Sequence, residues 1–102
     1  MPVFAEGNFR QLAGIRVIDL TINVLGPLCA QILGDMGADV IKVEQTRGDD
    51  IRDMGFKKNP GMSAYYMALN RNKRSVVLDL KSAAGREALF RLVEAADVFI
   101  HS

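Results

Sequence analysis

Residues 15–44 read IRVIDLTINVLGPLCAQILGDMGADVIKVE, and the fold follows from this stretch. Its two ends, IRVIDL (15–20) and ADVIKVE (38–44), are short, rich in Val and Ile, and of strand length. Between them, GPLCAQILGDMG (26–37) is an apolar helical run. Pro27 suits a first helical position and Gly37 the left-handed stop behind a helix. Strand, helix and strand within roughly 30 residues make a βαβ unit, whose two strands lie parallel.

The same alternation continues outward. Residues 45–61, QTRGDDIRDMGFKKNPG, mix charge, Gly and Pro into a connection longer than usual, which marks a functional or mobile loop. MSAYYMALN (62–70) predicts a short helix begun by Ser63, and SVVLDL (75–80) a third strand. SAAGREALFRLVEAA (82–96) predicts a helix capped by Ser82, with Ala88, Leu89, Leu92, Val93 and Ala96 inward and Arg86 and Arg91 outward. DVFIHS (97–102) predicts a fourth strand. A parallel sheet needs helical cover on both faces, so a sequence stopping on a strand is expected to be the front part of something longer, incomplete at its C-terminus.

Composition bounds the rest. A chain of 102 residues, 49% hydrophobic and 25% charged, suits one packed domain. The net charge of +1 hides an asymmetry: residues 57–91 hold eight Lys/Arg against two acids, and the remainder five against ten. That local excess can draw an anion or merely solvate a face. Nucleic acid is not expected, because basic amphipathic helices, arginine–aromatic interleaving and finger-type metal spacing are missing. Cys29 stands alone, which excludes an internal disulfide; inside an apolar helical run it is expected to be a buried structural thiol. No apolar run reaches membrane-spanning length, and MPVFAEGNFRQL lacks a secretory layout, so the cytoplasm is the expected compartment. No metal-ligand cluster is visible.

Open α/β sheets bind ligands outside the carboxyl ends of their strands, so a motif's place along its strand decides its meaning. Arg71, Lys73 and Arg74 fall at the amino end of the third strand, about 20 Å from the carboxyl rim for a strand of ordinary length. They are assigned to solvent, to pairing with acids or to a subunit contact, and replacing Lys73 is expected to do little to the binding of a ligand on the carboxyl rim. Lys81 stands on the carboxyl rim, near Asp79, Glu44, Gln45, Arg47 and His101, and is the expected anion contact. The turn NVLGPLCAQILG lacks G-x-G-x-x-G, so a dinucleotide site of the usual kind is not expected. Glu44 nevertheless sits where such folds place an acid on an adenine ribose. Asp19 and Asp79 are expected to bond neighbouring backbone, and His101 to be structural rather than catalytic.

LAGIRVIDLT, GPLCAQILGDMGADVIKVEQ, RGDDIR, SAYYMALNRNKRSVVLDLKS and GREALFRLVEAADVFI resemble, in order and spacing, the amino-terminal segment of class III coenzyme A transferases, from about Leu12 to Ser102. That family includes formyl-CoA:oxalate and carnitine CoA-transferases and α-methylacyl-CoA racemase. The resemblance implies a Rossmann-like domain in which residues 1–102 form the amino-terminal part. It implies CoA contacts at Val24, Leu25, Gln45, Leu78, Asp79, Lys81 and Ser102, with CoA or acyl-CoA as substrate, a carboxylic acid as its partner in the reaction, and no tightly bound cofactor. It also implies an interlocked homodimer of the full-length protein, and an acylated aspartate beyond residue 102, so that no catalytic residue is assigned here and this chain alone is expected to be inactive. Gln45 stands where relatives often carry arginine, and Ser102 where asparagine is usual. Three alternatives remain beside the transferase: an acyl-CoA racemase segment, a non-catalytic α/β interaction module, and a nucleotide-binding domain of another family.

Overall fold

The computed structural model describes residues 10–102. The opening MPVFAEGNF, part of the stretch read above as lacking a secretory layout, lies outside them. Four parallel strands, β1 (Arg16–Leu20), β2 (Asp39–Glu44), β3 (Lys73–Val77) and β4 (Val98–His101), form one sheet in the order β3-β2-β1-β4. Three helices connect them: α1 (Leu25–Asp35), α2 (Ala64–Leu69) and α3 (Ala83–Glu94). This is an α/β fold whose order is that of the first four strands of a doubly wound sheet.

Side-chain alternation splits the core between the two faces of the sheet. On one face Val17, Ala38 and Val40 pack with Ala30 of α1. On the other, Ile18, Ile41 and Val43 pack with Leu89, Leu92, Val93 and Ala96, four of the five residues expected inward, while Ala88 is half-buried outside that cluster. Ser82 and Ser63 cap their helices as expected, accepting the amides of Gly85 and Tyr66. Gly37 has φ +102°, the left-handed stop behind α1.

Three local expectations need correction. The third strand runs from Lys73 to Val77 rather than 75–80, because Lys73 and Arg74 already pair with Val40 and Ile41, while at Asp79 the chain turns to receive the Ser82 amide. Helix α1 begins two residues before Pro27, and Gly26 makes that start possible: a Cβ there would lie 2.4 Å from the Thr21 Cβ. Cys29 is exposed, since α1 turns Pro27, Ala30 and Gln31 inward and leaves Leu25, Leu28, Cys29 and Ile32 outside.

Candidate functional site

Strand order reverses between β1 and β4, and a cleft of about 600 Å³ opens there at the carboxyl rim. It is lined by the turn Thr21–Gly26 and by Ile100, His101 and Ser102. A second cleft of about 540 Å³ opens beyond β2 and β3, lined by Gln45, Thr46, Arg47 and Leu78 to Lys81. The seven residues expected to meet a ligand therefore fall into two groups. Val24, Leu25 and Ser102 line the first cleft; Gln45, Leu78, Asp79 and Lys81 line the second.

Local structure explains each wall. Asn23 has φ +70°, a left-handed conformation that asparagine tolerates better than most side chains, and it bends the β1–α1 turn outward. The Ile22 amide donates to the Ser102 hydroxyl at 3.3 Å, drawing the ends of β1 and β4 together. In the second cleft, the Leu78 amide extends the sheet ladder to Glu44 O at 3.0 Å. Asp79 accepts the Lys81 amide at 3.0 Å, which leaves the Lys81 ammonium exposed at the mouth.

Beneath both clefts, on the α1 face of the sheet, lies a cluster the sequence reading missed: Asp19, Lys42, Glu44, Asp49, Arg52 and Lys73. Lys42 is 1% exposed, and its ammonium donates to Asp49 Oδ2 and Thr21 O, each at 3.0 Å. Asp49 Oδ1 accepts the amides of Ile51 (3.1 Å) and Asn23 (3.3 Å). Lys73, with 2% of its side chain exposed, reaches across β2 to Asp19 Oδ2 at 2.8 Å, and also donates to Pro27 O and Asn70 Oδ1. Glu44 takes a bidentate grip from Arg52 (2.8 and 2.7 Å), together with the Asp49 amide and the Ser75 hydroxyl. Three cations thus meet three carboxylates, and no buried side-chain polar atom among the described residues lacks a partner. Buried charges persist only when paired in this way.

Protonation follows from these contacts. Burial would raise the Glu44 carboxyl, but the hydrogen bonds from Arg52, Ser75 and the Asp49 amide, with the Arg52 charge, outweigh it and hold the group at about 2. Burial lowers the Lys73 ammonium despite the opposing pull of Asp19. Burial also raises the Tyr66 phenol, assisted by the Glu44 charge; its ring carries the Arg52 guanidinium at 3.8 Å.

Several expectations change as a result. With both oxygens of Glu44 engaged, the carboxylate is unavailable to a ribose. Arg71 and Arg74 pair with Asp35 and Asp39, and Lys73 with Asp19, so pairing with acids is the role of all three cations. Removing Lys73 would strand a buried Asp19, a loss of ~3–5 kcal/mol of fold stability. Asp19 does bond neighbouring backbone, accepting the Thr21 amide at 2.9 Å, and Asp79 does likewise. His101 is exposed beside Phe99. Among the described residues no group of His, Cys, Asp and Glu is arranged to hold a metal, and no helix is long and apolar enough to cross a membrane. A signal for the buried cluster was present: Lys42 and Glu44 alternate within a strand that a parallel sheet covers on both faces.

The profile of CoA-transferase family III matches residues 12–102. The chain belongs to that family. Among its relatives, the succinate–glutarate CoA-transferase of Agrobacterium fabrum is 49% identical over 98 residues, covering 89% of this chain and 24% of its own length. The formyl-CoA:oxalate CoA-transferase of Bradyrhizobium diazoefficiens is 40% identical over 94 residues, covering 91% and 22%. A crystal structure of a CAIB/BAIF family protein from Brucella suis superposes with a TM-score of 0.84 at 45% identity, over 89% of this chain and 25% of that one. This family III chain therefore spans about a quarter of the length of the curated relatives it matches.

Proposed function

We propose that the chain forms the CoA-binding front of a CoA-transferase, the amino-terminal part of its large Rossmann-like domain. The adenine and phosphate end of CoA lies across the carboxyl rim, against Val24, Leu25 and Ser102 in one cleft and Gln45, Leu78, Asp79 and Lys81 in the other. The observation that carries this reading is that all seven residues line the two clefts of one rim, although they are scattered from 24 to 102.

CoA passes between carboxylic acids through an anhydride on an aspartate outside these residues, in a full-length protein of two interlocked copies. Such a step needs a free carboxylate held against the thioester carbonyl. The rim acids do not meet that need. Glu44 and Asp49 are buried and paired, Asp79 is turned to the Lys81 amide, and exposed Asp50 lies 3.8 Å from Arg47. The chain by itself therefore binds without turning over.

Lys81 supplies the test. Its ammonium is exposed and takes part in none of the ion pairs among the described residues, so it is free to meet a phosphate. Replacing Lys81 with Ala should weaken CoA binding by ~1–3 kcal/mol in calorimetric titration, the worth of one charge-assisted hydrogen bond. An unchanged affinity removes the phosphate end from this cleft.

A further inference from the structure

The buried Lys42–Asp49 pair has no counterpart in the chemistry above, yet it touches the walls of both clefts. Lys42 rises from the middle of the sheet and donates to Thr21 O, in the first cleft's wall, and to Asp49 Oδ2, in the loop whose start walls the second. Asp49 closes the circuit from the other side, its Oδ1 accepting the Asn23 amide. Between Asp49 and the second cleft lies one tight turn: the Gly48 amide donates to Gln45 O at 2.8 Å and the Asp49 amide to Glu44 Oε1 at 3.0 Å. Residues 26 positions apart are thus tied through one ammonium and one carboxylate, both out of reach of solvent.

We propose that Lys42 and Asp49 are positioning residues that fix the spacing of the two clefts, so that a ligand spanning the rim meets both walls already in register. The inference rests on the CoA reading for its ligand but not for its geometry. Two features support positioning over simple stability. Replacing a buried ion pair with apolar side chains of the same volume is often neutral for stability, and in some systems the pair is kept because it selects one geometry. The pair also tethers the chain where it turns, since Asp49 accepts the amide of Asn23, whose left-handed conformation shapes the first cleft's wall. A preformed site of this sort spares the ligand the ordering of two loops.

The test uses the full protein carrying Lys42→Met with Asp49→Asn, which removes both charges together and keeps an Oδ1 acceptor for the Ile51 and Asn23 amides. Without ligand, amide hydrogen exchange should quicken at least tenfold in residues 21–26 and 45–53 together, with α3 unchanged as the measure of an intact fold. Quickening in one segment alone, or in neither, overturns the clamp. In calorimetric titration the folded variant should bind CoA at least tenfold more weakly although every cleft-lining residue is intact; an affinity within threefold of the parent overturns the positioning role. A parent protein that binds no CoA removes the CoA reading, while the exchange result still decides the clamp. Should the double variant not fold, native-state exchange of the parent carries the test: residues 21–26 and 45–53 should open as one unit with a shared dependence on denaturant, and separate openings overturn the clamp.

Discussion

Glu44 shows how far a side chain's surroundings depart from its sequence neighbourhood. In the sequence it ends an apolar strand and looks like a ribose partner; in the fold it is held by Arg52, Ser75 and the Asp49 amide. Its carboxyl drops from the ordinary 4.5 to about 2, burial being outweighed by those hydrogen bonds and the Arg52 charge. A depressed folded-state value means the unfolded chain takes up the proton first. The stabilisation is therefore complete above about pH 4.5 and is lost as pH falls through about 2, amounting to ~3 kcal/mol for this one group. Urea unfolding of the parent and of Glu44→Gln, at pH 6 and pH 3, should give a difference that narrows markedly at the lower pH. A difference independent of pH would mean that Glu44 is not ionised in the fold.

At the scale of elements, α3 and the turn before it bring Asp79 and Lys81 to the rim, and one glycine permits the approach. A Cβ on Gly85 would lie 1.9 Å from Asp79 O, so the first turn of α3 can nest against the end of β3 only without a side chain there. Gly85→Ala should cost at least ~2 kcal/mol in chemical denaturation and weaken any ligand of the second cleft, despite the better helix propensity of alanine. A stabilised variant would refute this packing. The elements themselves were largely legible: β1, β2 and β4 from apolar runs, α2 and α3 from Ser63 and Ser82 followed by helical spacing. The start of β3 was missed because Lys73 and Arg74 look like loop cations, and their partners, Asp19 and Asp39, lie 54 and 35 residues away. The rim was legible through Gln45, which directly follows β2, and through Lys81, which lies one turn beyond the end of β3. Of the charged cluster only Lys42 and Glu44 left a signal, as charges alternating in a buried strand; which groups they pair with is decided by tertiary contact and leaves no spacing in the chain.

Taken whole, the molecule is flat, 46 × 37 × 19 Å, with a radius of gyration of 14.4 Å against ~13 Å for a compact domain of this length. Fifteen large apolar side chains among the described residues stay substantially exposed, Leu25 and Phe56 most of all, at 81% and 77%. Among the described residues, nine buried hydrophobic side chains stand beside eight buried polar or charged ones. That mixture reaches into calorimetry. Hydration of apolar surface raises the heat capacity on unfolding and hydration of polar surface lowers it, so an interior this rich in buried polar and charged groups releases less of the first and more of the second. The heat-capacity increment should fall below about 12 cal/mol/K per residue in differential scanning calorimetry, and a value of ~15 or more would contradict it. A small increment flattens the dependence of stability on temperature, so the fold's resistance to urea should change little between a cold room and a warm cell, and unfolding by cold should recede well below freezing.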